Sequence, residues 1–261
     1  MLLFHLDAKN RKYSFKSQFY MLFVWEKSIF VNMKRITFLT GAGISAESGI
    51  RTFRDSDGLW EQYPVEEVAS IDGYRKNPAL VLDFYNARRR QLLTVEPNQA
   101  HRLVAALEQK YEVVVVTQNV DDLHERAGSS NIIHLHGELL KVCSSRNPND
   151  SRYIERVSAD HKIHLGDKAG DGSQLRPHIV WFGEAVPQIE PAATVIAQTD
   201  ILVIVGTSLN VYPAAGSLYY APRTAEIYLI DPHPDQIRTS RPIQIIGKGA
   251  EAGMQELCDL L

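Results

Sequence analysis

The sequence predicts an α/β protein: a doubly wound parallel sheet with a small inserted module. Three observations carry that reading. Four short runs, Arg35–Thr40, Glu112–Thr117, Ile201–Val205 and Glu226–Ile230, are rich in β-branched and apolar residues and end in loop-forming signals, as strands buried on both faces of a parallel sheet do. Segments with helical spacing lie between them, and strands alternating with helices imply parallel pairing. Residues 141–176 break the rhythm. They are rich in Ser, Asn, Asp, Arg and Gly and read as a polar module set between sheet elements.

Residues 1–33 mix aromatics with scattered Lys and Arg, and their longest apolar stretch, Phe19 to Trp25, has seven residues. A secretory signal needs a longer apolar core and a small-residue cleavage site. The segment is expected to be an extension, with the native start at Met33; a peripheral amphipathic anchor is the alternative. Arg35–Thr40 is then the first strand. Pro78–Thr94 carries Leu80, Val81, Phe84, Tyr85 and Ala87 near helical spacing, and Asn98–Lys110 repeats the pattern with Ala100, Leu103, Val104 and Leu107. Ile132–Leu135 is a fifth, shorter strand candidate.

Composition narrows the function. The chain has 261 residues, 44% hydrophobic and 23% charged, which suits a globular domain and excludes a disordered one. With 28 basic and 31 acidic side chains the net charge is -3, against an electrostatic nucleic-acid binder. No apolar run reaches the ~18 residues of a membrane span. The two cysteines, Cys143 and Cys258, lie far apart, so reduced thiols and a cytoplasmic setting are expected.

The candidate chemistry sits at strand ends. Gly41-Ala42-Gly43-Ile44-Ser45-Ala46 follows the first strand. Glycines there let a backbone approach a pyrophosphate, and a helix N-terminus offers it N–H groups; an ordinary strand-to-helix turn fits too. No acid-ended strand follows about 20 residues later, as a dehydrogenase requires. Gly206-Thr207-Ser208 follows another strand, and Asp231 closes the next, where a carboxylate accepts from a ribose hydroxyl or, before Pro232, simply makes a turn. A nucleotide would thus lie across the point where the strand order reverses. Gln118-Asn119-Val120-Asp121 offers a polar ligand face or helix caps. His136 abuts Gly137 at a third strand end, where a neutral imidazole is a good general base near pH 7; a structural histidine is the alternative. His161 and His164 have metal-like spacing but lack close cysteines or an arranged carboxylate, so no metal site is expected there.

Together, G-A-G-I-S-A-E-S-G-I-R-T-F-R (41–54), T-Q-N-V-D-D-L-H-E-R-A-G (117–128), H-G-E (136–138), R-P-H-I-V-W-F-G-E (176–184) and G-T-S-L-N-V-Y-P-A (206–214) closely resemble the sirtuin family of NAD-dependent protein lysine deacylases. The resemblance covers about residues 34–261 and implies a Rossmann-like catalytic domain in which NAD meets an acyl-lysine peptide. It implies that NAD is consumed, yielding deacylated lysine, nicotinamide and O-acyl-ADP-ribose. It places Gly41, Ala42, Gly43, Glu47, Phe53 and Arg54 in the NAD pocket and its covering loop. Gln118, Asn119 and Asp121 become nicotinamide-ribose contacts, and Asn119 and Asp121 join His136 as catalytic residues, with His136 the base. Gly206, Thr207 and Ser208 become adenosine-side contacts; Asp231, where many members have Asn, and Ala250 complete the cofactor set. Val180-Trp181-Phe182-Gly183 would pair with the substrate backbone as an added strand. Tyr85 and Arg88, three apart on one helix face, resemble the pair in sirtuins acting on succinyl- and malonyl-lysine. Many relatives hold the small domain with two C-x-x-C pairs on zinc. Here 141–176 holds Cys143 alone, so no zinc is expected. ADP-ribosyl transfer to protein and non-catalytic binding of acyl-lysine are the competing readings.

Overall fold

A computed structural model describes residues 33–50, 63–207, 209, 212–234 and 240–261. The chain divides into Met1–Lys34 and Arg35–Leu261, and the strands and helices described all belong to the second unit. The extension expected over 1–33 lies, apart from Met33, outside the described residues.

In chain order the elements are β1 (Arg35–Thr40), α1 (Gly43–Ala46), α2 (Val65–Val68), α3 (Ile71–Lys76), α4 (Pro78–Gln91), α5 (Gln99–Ala106), β2 (Glu112–Thr117), α6 (Leu123–Ala127), β3 (Ile132–His134), β4 (Gly137–Ser144), β5 (Glu155–Arg156), β6 (Leu175–Ile179), α7 (Ile189–Ile196), β7 (Ile201–Val205), β8 (Glu226–Ile230), β9 (Gln244–Ile246) and α8 (Ala250–Leu260). Six strands form a parallel sheet in the order β3-β2-β1-β7-β8-β9. The four main strands have the limits that their apolar runs predict, and β3 stops one residue short of the expected Leu135. Both faces are covered, which is why these runs are continuous rather than alternating. Ile36 and Phe38 pack with Val113, Val203, Met254 and Leu257. Leu39 packs with Val116, Ile204 and Ile196 on the opposite face. Each such side chain contributes about 1.5–3 kcal/mol.

The chain winds from β1 towards β2 and β3, then crosses to β7, β8 and β9. The order therefore reverses between β1 and β7, and a crevice opens at the carboxyl ends of those strands.

Between β3 and β7 lies a three-stranded antiparallel sheet, β5-β4-β6. It joins helices that precede β2. Asn77 caps α4 by accepting from Leu80 N, and Pro78 takes the first helical position. α4 then sets Val81, Phe84 and Tyr85 against Leu139, Ile179 and Trp181. Of three consecutive arginines in α4, Arg89 is buried: its Nε donates to Leu139 O at 2.7 Å and its Nη1 to Asn86 Oδ1 and His161 O, each at 3.1 Å. Within β6, the buried Arg176 makes two ion contacts with Glu184, 2.7 and 2.9 Å, and lies 3.6 Å over the Trp181 ring centroid. Glu184 Oε2 also accepts from Trp181 N, which fixes the turn after β6.

The module's residues do not fit a thiolate zinc site. Cys143 is buried with Sγ 3.7 Å from Pro177 O. Two turns converge instead on the Asp171 carboxylate, which accepts from Ser144 Oγ at 2.6 Å, Ser173 Oγ at 2.7 Å and Asn147 Nδ2 at 3.1 Å. Hydroxyls and an amide with one carboxylate are a weak zinc set. The hydrogen bonds from Ser144 and Ser173 hold the Asp171 carboxyl well below the usual range. A depressed carboxyl stabilises the fold above its unfolded pKa of about 3.9 and loses that contribution as pH falls towards its folded value. Asp171→Ala is therefore expected to lower Tm at pH 7, the gap to the parent shrinking below about pH 4, and a chelator is expected to leave Tm unchanged. A chelator-induced drop in Tm would point to a bound metal.

Candidate active site

The loops after β1, β2, β3 and β7 meet in the crevice. Those after β1 and β7 touch closely: Gly43 N donates to Gly206 O at 2.9 Å, and a Cβ on Gly43 would lie 2.5 Å from Gly206 Cα. Gly206 has φ +60°, a left-handed conformation that favours glycine. The glycines of G-A-G thus serve first to join two loops. The amides of Gly41, Gly43, Ile44 and Ser45 are engaged within this structure, which leaves Ala42 and Thr207 as N–H donors for an anion among the described residues of these loops. Gln118 Nε2 donates to Thr207 Oγ1 at 2.9 Å, so the β2 loop bridges to the β7 loop. A polar ligand that needs close backbone approach fits this place.

Below it lies a buried polar network. Asn119 Nδ2 donates to Ser45 Oγ at 3.1 Å, and Ser45 Oγ donates to Asp121 Oδ2 at 3.2 Å. Burial pushes the Asp121 carboxyl up, opposed by hydrogen bonds from Leu123 N and Ser45. His101 Nε2 is 3.4 Å from Ser45 Oγ, and its Nδ1 is 3.0 Å from Asn98 Oδ1. Burial lowers His101 to about 4, so it stays neutral at pH 7. His124, packed edge-on at 4.9 Å from His101, is neutral for the same reason and meets Thr40 Oγ1 at 3.2 Å. Sequence reasoning missed Ser45, His101 and His124. Ser45 stands inside the glycine motif, which is a usable signal; the two histidines sit in ordinary helical positions and give none.

His136 is half-buried, with Nδ1 3.1 Å from Gln118 O. A carbonyl only accepts, so Nδ1 carries the proton and Nε2 holds the lone pair of the neutral ring. Burial lowers its pKa, against the Gln118 hydrogen bond, which keeps that lone pair available at pH 7. A neutral imidazole in this tautomer has the chemistry a general base needs.

Other candidates fall differently. Glu47 Oε2 accepts from Glu251 N at 2.9 Å and caps α8 beside Ala250, so these two are neighbours and the Glu47 carboxylate has a structural partner. Asp231 is buried and accepts from His233 N at 2.8 Å, the turn contact that Asp-Pro allowed. Phe53, Arg54 and Ser208 lie outside the described residues. Val180 N donates to His136 O, Trp181 N to Glu184 and Phe182 N to Ala69 O. Gly183 alone of these four has an amide open for strand addition among the described residues, so the expected pairing has fewer backbone donors than the run suggested. Phe182 is half exposed, but Trp181 is buried, its ring centroid 6.0 Å from that of Tyr85. Burial raises the Tyr85 phenol to about 12. It lowers the Arg88 guanidinium, opposed by Tyr85 and Asp121 nearby.

Comparison with known proteins gives concordant results. The Sir2 family model matches residues 41–213. An NAD-dependent protein deacylase of Bacteroides thetaiotaomicron is 62% identical over 230 residues, covering 88% of this chain and 98% of that one. One from Helicobacter pylori is 55% identical over 225 residues, 86% of this chain and 96% of its own. A solved structure of a Sir2 homolog–NAD complex superposes with a TM-score of 0.76 at 37% identity, over 90% of this chain and 93% of that one.

Proposed function

Because the chain belongs to the Sir2 family and is an NAD-dependent protein deacylase acting on acylated proteins, we propose that His136 is its general base, that Asn119 and Asp121 orient the nicotinamide ribose, and that Tyr85 and Arg88 favour succinyl- and malonyl-lysine. Bound NAD supplies a ribose carbon from which nicotinamide can leave. The observation that carries the site assignment is the His136 Nδ1–Gln118 O hydrogen bond, which reserves Nε2 to take a proton from a ribose hydroxyl. Ala42 and Thr207 amides suit the pyrophosphate, with Gly41, Gly43 and Gly206 allowing its approach. Trp181 and Tyr85 wall the acyl site, and Arg88 supplies a planar pair of donors for a distal carboxylate.

Incubation with NAD and matched succinyl, malonyl and acetyl peptides, followed by mass spectrometry of all products, tests this. Acylated ADP-ribose with the acidic acyl groups preferred is expected; ADP-ribose attached to protein would overturn it in favour of a transferase. Asn119→Ala is expected to slow nicotinamide release and deacylation together. Unchanged nicotinamide exchange in that variant would reduce Asn119 to its structural bonds with Ser45 and Thr117. We also place the protein in the cytoplasm, supported by two free cysteines; among the described residues no helix is long and apolar enough to cross a membrane.

A further inference from the structure

Four successive carbonyls of the loop that presents Asn119 and Asp121 are held by one neighbouring segment. Thr117 O accepts from Leu135 N at 2.8 Å and Val120 O from Leu139 N at 2.8 Å. The two between them face imidazoles: Gln118 O meets His136 Nδ1 at 3.1 Å and Asn119 O meets His134 Nδ1 at 3.0 Å. The two histidines of H-L-H thus continue the β2–β3 ladder where its backbone pairing ends. His134 differs from His136 in its other nitrogen, which lies 2.7 Å from Glu125 Oε1. Both its ring nitrogens face groups that only accept, so both must carry protons. The ring is an imidazolium with more than nine-tenths of its side chain buried.

We propose that His134, charged and anchored by Glu125, is a positioning residue that clamps the Asn119 carbonyl and so aims the Asn119 and Asp121 side chains. This rests on the assignment of those two residues to the nicotinamide ribose. Burial disfavours the charge on His134, but the Glu125 hydrogen bond and charge outweigh it and raise its pKa. The titratable groups around it are Glu125 on α6, Asp121 in the loop, Glu138 on β4, and the imidazoles of His124 and His178 on α6 and β6, which burial keeps towards their neutral forms; Arg156 on β5 acts on Glu125. Glu125, His134 and Glu138 present oxygen and nitrogen atoms within 4.8 Å of one another, a spacing that metal ligands share. A metal is not the better reading, because His134 has no lone pair left and Glu138 is matched by Lys141 at 2.5 Å.

The clamp has a distinctive pH signature. When His134 loses a proton, one of its two acceptors goes unmet; the carboxylate holds the remaining proton more strongly than a carbonyl does, so the Asn119 contact fails. With Glu125→Gln the amide either donates or accepts, and a neutral His134 keeps Nδ1–H on Asn119 O. His134→Phe is expected to cut kcat for both nicotinamide release and deacylation about 10- to 100-fold, the scale of a displaced positioning group, with KM for NAD changed far less. The alkaline fall of kcat in the parent is expected to move or vanish in Glu125→Gln, and ring ¹⁵N shifts of His134 should report two protonated nitrogens at a pH where an ordinary imidazole is already half deprotonated. Parent-like kcat in folded His134→Phe, or an unmoved alkaline limb in Glu125→Gln, overturns the clamp; the second decides alone if His134→Phe does not fold. Parent-like kcat in Asn119→Ala would instead overturn the assignment on which the clamp rests.

Discussion

His136→Ala is expected to lower deacylation by about 10²- to 10⁴-fold, the usual range for loss of a general base, while NAD still binds. The separation follows from where the contacts lie. The donors proposed for the pyrophosphate come from the loops after β1 and β7, and their geometry depends on Gly43–Gly206 packing and on the Gln118–Thr207 bond. None of these is made by His136, whose bond is to Gln118 O. The pH profile offers a second reading. Burial lowers the His136 pKa, so its base form persists below the ordinary value near 6.5. The acid limb of kcat/KM should lie below about pH 6.5 and disappear from the residual activity of the variant. Calorimetric titration with NAD, beside rate measurements across pH, separates the two effects. Near-normal deacylation in His136→Ala would overturn the assignment; loss of NAD binding would show that His136 supports the loop rather than the proton transfer.

The central sheet was legible because burial on both faces leaves a simple mark: R-I-T-F-L-T, E-V-V-V-V-T, I-L-V-I-V and E-I-Y-L-I have no other good place. The second sheet left no such mark. β6 is L-R-P-H-I, whose Arg and Pro argue against a strand until Glu184, eight residues on, is seen to neutralise Arg176. Pro177 is tolerated in a small sheet of short strands. The same limit hid much of the site. His136 and the Gln118–Asp121 run stand at strand ends, which sequence reasoning can find. Glu125 and His134 meet only because α6 folds back over β3, and Ser45 reaches Asp121 only because β1 and β2 are adjacent. Glu47 carries a contact that its motif position did not show: its carboxylate caps α8.

Arg88→Met is expected to reduce desuccinylation by at least about tenfold while keeping deacetylation. The run Arg88-Arg89-Arg90 reads as one basic stretch, yet the fold gives its members three fates. Arg90 is exposed, and Arg89 is fully buried and satisfies main-chain carbonyls of Leu139 and His161. Arg88 lies between, its charge disfavoured by burial and supported by the Asp121 carboxylate. A guanidinium in that half-apolar setting gains more from an incoming carboxylate than one in water does. Charged hydrogen bonds contribute about 1.5–3 kcal/mol each, roughly 10- to 150-fold in rate if realised in the transition state. An acetyl group has no carboxylate, so methionine, similar in length and apolar, should leave its turnover near the parent value. The decisive measurement is kcat/KM for succinyl and acetyl versions of one peptide, in parent and variant. Arg89→Met supplies the contrast: removing a buried guanidinium that ties α4 to β4 should lower Tm and depress both activities alike. If Arg88→Met behaves as Arg89→Met does, with equal losses on the two acyl groups, then Arg88 holds the helix in place and acyl choice lies with other residues.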